Sequence, residues 1–546
     1  LGNYFTTITF INIHNIKHIC SMKKLLLFFG IFLRLSILFA NNVAVSSVST
    51  PDAQHVQFTL TWDNSWYSSA TSYDAVWIFI KAQNCSGTTT WDHVSLSTLA
   101  GDHTATGGFY VEPAVSDGLG VFVRRNSNGF GSASTTVTVK LAAAYGTMNW
   151  QVNAVEMVWI PTGTFQVGDG STVNTAGTGS SYNFGTSNLT MPYTINTENS
   201  IAASAFQNDK GLVWCGSGSN VDGAVPRNLL LSNSFPKGYN GFYCMKYEIS
   251  QSQYAAFLND LSLVQQGNRT TVPPASAIGT YAMTGGVVAV NRNSVVVKTP
   301  ATATSPAVYD CDLDHNGTYG DGGDIACNFL SFSDLAAYLD WAALRPMTEL
   351  EYEKICRGTN SPNIREYPWE NTTMTIANSS ALTNPGASNE VSTTTGTGLC
   401  AYGSAPGTGP LRCGFAATAV TGQAAAGATC YGVMDMAGNV WEQCMQVGWT
   451  YLVNGSCYTT FTFPVGGVIY TGVVGDGTLD VNGNADASNW GNSNYTILKG
   501  GSWNCANTAA GLQKAQISDR SQVLNLASYA NSARTNEIGG RGVRKP

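Results

Sequence analysis

The chain has 546 residues, a formal net charge of -7, and 43% hydrophobic against 11% charged residues. That length exceeds what one ordinary core organises, so two or more domains are expected. The acidic balance and low charge exclude an electrostatic nucleic-acid binder; they leave Ser, Thr, Asn and Gly to carry the surface, which suits an extracellular protein.

Residues 1–21 carry no usable pattern and read as upstream sequence. Met22-Lys23-Lys24, an apolar run from Leu25 to Phe39 and then Ala40 describe a secretory signal peptide over 22–40. The mature chain is expected to start at Asn41, in a secreted, cell-surface or periplasmic setting. Arg34 interrupts the run, and no later segment has the length of a membrane span, so no permanent span is expected. Of 13 Cys only Cys20 precedes the cleavage point. An exported chain with an even remainder is expected to form disulfides, and Cys311 with Cys327 and Cys400 with Cys413 are the pairs to try first.

Residues 41–155 read as an all-β sandwich. Val56 to Trp62 alternates at period two, and Ala75 to Ile80 is a continuous β-prone run, as in a strand buried on both faces. Gly120 to Val123 and Thr136 to Val139 continue the pattern. His55, His93 and His103 fall here without metal-ligand spacing, so this module is assigned no chemistry.

A second domain is expected over 156–546. Residues 166–240 are Gly- and Ser-rich and aperiodic, the mark of an irregular fold. A helix should follow Ser250 as N-cap, placing Tyr254, Phe257, Leu258 and Leu261 on one face. Another should run from about Ser333 to Leu344. A third should start at Thr348, whose pairing with Glu351 matches a capping box.

Between the first two helices lies an acidic loop with Asp310, Asp312, Asp314, Asn316, Asp321 and Asp324. Alternating Asp and Asn ending in Gly317 resembles a calcium loop, with Asp310, Asp312, Asp314 and Asn316 as ligands. The twelfth position from Asp312 is Gly323 instead of Glu, so a solvated acidic loop competes with that reading. Further on, Tyr431 to Glu442 breaks at Ala437-Gly438-Asn439, a tight-turn signal. Asp435 and Glu442 stand at its two ends, where carboxylates and turn carbonyls can converge on a hard cation or simply face solvent.

The turn and several other blocks resemble the formylglycine-generating enzyme, or sulfatase-modifying factor, family. The carriers are Gly438-Asn439-Val440-Trp441-Glu442, Met157 to Phe165, Phe242 to Ser250, Arg345 to Glu353, Tyr367-Pro368-Trp369-Glu370-Asn371, Lys499 to Trp503 and Gly542-Val543-Arg544. They run in the family's order over about 156–546, with Glu370 where Gly is usual. The resemblance implies an irregular α+β, C-type-lectin-like domain stapled by calcium. It implies calcium held by the side chains of Asp435 and Glu442 and the carbonyls of Gly438 and Val440. It places Cys505 at the first of two copper-binding active-site cysteines and Ser502 at the active-site serine. The second cysteine position is Ala510, so copper is not expected unless a distant thiol such as Cys444 or Cys457 completes the pair. The usual disulfide partner of Cys356 is replaced by Lys545. The histidine cluster of the iron-dependent relatives is missing. Gly500 to Asn504, with Asn507, Asn525, Asn531 and Asn536, also resembles the ligand-display region of diversity-generating proteins on this fold. The expectation is a non-catalytic extracellular binding or surface-structural module for a protein or glycan ligand. The alternative is a copper-dependent oxidase converting a substrate cysteine to formylglycine.

Overall fold

The computed structural model describes residues 42–85, 90–171, 184–185, 191–202, 207–208, 214–215, 219–220, 230–377, 381–404, 408–418, 421–453, 456–461, 470–491, 496–522 and 533–546. The expected leader and the start at Asn41 lie outside them, as do Asn525, Asn531 and the side chain of Cys457. The described chain is mostly β, with five α-helices. None of these is long and apolar enough to cross a membrane.

The N-terminal region contributes β1 (Ala44–Asp52), β2 (His55–Ser69), β3 (Ser72–Asn84), β4 (Phe109–Pro113), β5 (Val121–Arg125), β6 (Gly129–Lys140) and β7 (Met148–Ile160). Val56, Phe58, Leu60 and Trp62 of β2 face inward, as their alternation predicts. They meet Val76, Ile78 and Ile80 of β3 and Val137 and Val139 of β6 in one core. The intervening β3 residues Ala75, Trp77 and Phe79 point the other way, into the core of the C-terminal region. Because side chains alternate along a strand, β3 is apolar at every position from 75 to 80.

Strand β7 joins the two regions. It pairs with β3 from Asn84↔Met148 to Asp74↔Val158, and its last four residues pair with β8 (Phe242–Met245). Residues 155 and 156 are therefore neighbours inside one strand. The largest sheet, of 12 strands, runs on through β8 to β12 (Gly542–Arg544) and β9 (Arg345–Pro346); β10 (Glu442–Met445) and β11 (Thr496–Lys499) form a separate ladder. The regions are also tied by side chains: Trp77 Nε1 donates to the Ala342 carbonyl at 2.9 Å, and the Arg544 guanidinium lies 4.2 Å from the Trp77 ring centre.

The helices are α1 (Gln251–Asp260), α2 (Leu263–Arg269), α3 (Phe332–Trp341), α4 (Glu349–Arg357) and α5 (Ala509–Gln513). Ser250 and Thr348 cap α1 and α4 with complete capping boxes, as expected. Helix α3 starts and stops earlier than its periodicity predicts. Its cap is Ser331, which exchanges hydrogen bonds with Asp334, and Ala343 at φ 52 ends the helical path.

Cys311, Cys327, Cys400 and Cys413 are free, buried thiols. The expected pairings are not formed. The Cys400 thiol donates to the Ala437 carbonyl, while the Cys413 thiol points to that of Glu248. Cys356 is free and buried.

Candidate functional site

Two consecutive left-handed glycines set the turn that carries Ser502 and Cys505. A Cβ on Gly500 would lie 2.5 Å from the Met436 carbonyl oxygen, and one on Gly501 2.6 Å from the Tyr402 ring. Only glycine fits there. The turn is bolted to the 438–440 turn: Gly438 N–H donates to Gly500 O at 3.0 Å and Trp503 N–H to Asn439 O at 2.8 Å. The Ser502 N–H points at Cys505 Sγ at 3.3 Å, and Ser502 Oγ lies 3.6 Å from the same sulfur. Ser502 Oγ also donates to Glu537 Oε2 at 2.9 Å. Glu537 had no sequence signal.

Cys505 is 6% exposed, and burial pushes its thiol above the usual range, against the Ser502 and Tyr402 hydrogen bonds. A thiol held protonated is a poor nucleophile and a poor metal ligand. Ala510 is exposed on α5. Cys444 does not stand beside Cys505; it packs with Cys244 and Cys356 in another apolar cluster. The described cysteine sharing the Cys505 cluster is Cys400. Its thiol too is raised, first by burial and then by the charge of Asp435.

Behind this turn three buried carboxylates converge. Asp435 and Asn439 adopt left-handed backbone, with φ 57 and 59, which lets the chain fold tightly around Gly438. Asp435 Oδ2 accepts from Gly414 N–H at 2.5 Å. Glu442 Oε1 accepts from Arg541 Nε at 2.5 Å, and its Oε2 is buried without a partner. Glu248, missed in the sequence reading, accepts from Val440 N–H at 3.0 Å and from Asn439 Nδ2 at 2.7 Å. Burial raises all three carboxyls; Asp435 and Glu442 raise Glu248 further, and Asp435 raises Glu442. Arg541 and Arg412 oppose the shift. In this set burial and the neighbouring carboxyls both disfavour the charged forms. Glu442 Oε2 is left as an orphaned oxygen in this set, but among the described residues these carboxylates do not gather their oxygens into one cation-sized cluster as the acidic loop does.

The acidic loop is assembled differently from its expected ligand set. Asp310 is drawn off by Lys298 at 2.8 Å across the hairpin and leaves the cluster. Oxygens of Asp312, Asp314 and Asp321 lie within 4.8 Å of one another. Asp312 accepts from Asn316 and Gly317 N–H, and Asp321 Oδ2 from Leu313 and Asp314 N–H. Asn316 spends its amide on Asp314 and accepts from Thr318 N–H. A further acidic group, Asp340, Asp476 and Asp486, was not anticipated. Its signal was the alternation Asp480, Asn482, Asn484, Asp486.

No curated protein matches this chain. The description of the family that does match is "Sulfatase-modifying factor enzyme 1-like domain", over residues 201–546. That span holds the Cys505 turn, Asp435, Glu442 and the closing strand β12, and the chain belongs to this family.

Proposed function

We propose that the chain is a non-catalytic, exported member of the family, acting as an extracellular binding or surface-structural module for a protein or glycan. One observation carries this reading: Cys505 is a buried thiol while the position five residues on is an exposed alanine. Formylglycine formation by the family's route needs two thiolates to hold Cu(I). The test is incubation of the purified chain with Cu(I) and a Cys-x-Pro-x-Arg peptide, read by mass spectrometry. No aldehyde is expected. Aldehyde formation that is abolished by Cys505→Ala would favour the oxidase. That second reading draws on Cys400, which shares the Cys505 cluster.

Calcium is proposed as a structural ion at Asp435, Gly438, Val440 and Glu442, supported by the orphaned Glu442 oxygen and by the buried Asp435 carboxyl, which adds to the upward push of burial on Glu442. The acidic loop at Asp312 and Asp314 is a second candidate: with Asp321 it brings three carboxylate oxygens within 4.8 Å of one another, and Asp321 Oδ1 is buried without a partner. Metal analysis of the purified chain checks both. A chain that binds no calcium, and melts identically in chelator, would remove the proposal.

A further inference from the structure

The described surface has a groove of about 650 Å³ lined by Pro362, Asn363, Ile364, Glu366, Glu370, Asn371 and Thr372. It is broadly open to solvent. One wall is a turn held from beneath. Tyr367 and Trp369 stack with ring centres 5.1 Å apart, and Tyr367 N–H donates to Asn371 O at 2.9 Å. Thr373 N–H closes on Asn371 Oδ1 at 2.8 Å, and Trp369 Nε1 on Thr373 O at 2.8 Å. In the other wall Glu366 N–H donates to Asn363 O at 3.2 Å. Both walls are set before any ligand arrives.

Glu370 is the informative residue. Its φ is 59, a left-handed conformation that costs a residue with a side chain roughly 1–2 kcal/mol and costs glycine nothing. The chain nevertheless carries a glutamate there, exposed at the lip. Its carboxylate is aimed by two neutral amides: Asn360 Nδ2 donates to Oε1, and Gln423 Nε2 to Oε2 at 3.1 Å. Strain retained at an aimed charged group is a mark of function. Glu366 is already neutralised by Arg357 at 2.9 Å.

We propose that this groove is a subsite for a neutral polyhydroxy ligand, a glycan. The proposal rests on the binding-module reading above. Each Glu370 oxygen keeps acceptor capacity for a ligand hydroxyl. Asn371 and Thr372 add an amide and a hydroxyl beside it, while Ile364, 50% exposed, and Pro362 offer an apolar surface to a sugar ring's C–H face. A single carboxylate already dressed by amides is a weak cation trap, and it repels anions.

The full mature chain would be screened on a panel of neutral, sialylated and amino-sugar oligosaccharides. The best neutral oligosaccharide would then be titrated calorimetrically. Glu370→Gln is expected to weaken binding at least tenfold, and Glu370→Gly to abolish it while the melting temperature holds or rises. No neutral binder, a preference for sialylated or amino sugars, or unchanged affinity in Glu370→Gly would overturn the proposal. Those failures leave the non-catalytic reading standing; aldehyde formation on the peptide sinks that reading and leaves the groove to be judged on its own titration.

Discussion

The acidic loop and the buried carboxylates hold similar numbers of charges in opposite circumstances. Asp312, Asp314 and Asp321 sit on a turn-rich loop whose own N–H groups serve them. Glu248, Asp435 and Glu442 sit in the core, where each lost partner exposes a full desolvation penalty. The loop brings three carboxylate oxygens within 4.8 Å of one another; the core set buries its carboxyls in a setting that disfavours their charge. Asp340, Asp476 and Asp486 stand between these cases. Asp340 accepts three backbone N–H groups from residues 476, 486 and 487, and the buried Lys81 amine, near enough to feel Asp340 and Asp476, donates to the Gly477 carbonyl.

The largest effect should come from breaking the core set. Glu442→Gln breaks the buried Glu442–Arg541 pair and should cost about 3–5 kcal/mol in urea unfolding. A loss under 1 kcal/mol would mean that the pair is no part of the charge balance. Next comes calcium. A ligand at a hundredfold excess over its Kd adds about 2.7 kcal/mol to the folded state. Chelator should lower the melting temperature of the parent chain and of Asp312→Asn, and should have little effect on Asp435→Asn. The reverse pattern would hand the ion to the loop.

Lys81 gives a pH test of the intermediate case. Burial lowers its ammonium to about 7 from 10.5, opposed by Asp260, Asp340, Asp476 and Asp92. Between those values the unfolded chain binds a proton that the folded chain has released. Stability should therefore rise as pH climbs from about 7 towards 10.5, and the ammonium's burial cost is fully present below about 7. Urea midpoints at pH 6.5 and 9 should differ less in Lys81→Met than in the parent. Equal slopes would show that Lys81 does not titrate in this window. The smallest effect belongs to the loop: Asp314→Asn, at an exposed side chain, should stay within about 0.5 kcal/mol. A larger loss, removed by chelator, would place an ion there.

What could be read from the sequence was what neighbours along the chain decide. Ser250 and Thr348 cap helices through residues three positions away, so their signal is local. The inward alternation of β2 is equally local. The Asp435–Glu442 turn was found through a resemblance, but Glu248 and Arg541, which determine its charge, lie about two hundred and one hundred residues away. Lys298 removes Asp310 only because a hairpin brings them opposite. Ser331 was passed over because its box closes with Asp334 instead of Glu or Gln. The shared strand β7 was read as a boundary because no local break or continuity distinguishes a strand used twice.

Strand β12 lies between β8 and β9, with Val543 opposite both Cys244 and Arg345. Some three hundred residues separate it from β8. Read in time, at about 5–20 residues per second that interval is roughly 15–60 s of synthesis. Until residues 542–544 emerge, β8 and β9 have an open lane between them, and Arg541 and Arg544 are missing from Glu442 and Trp77. The molecule is thus built to close late.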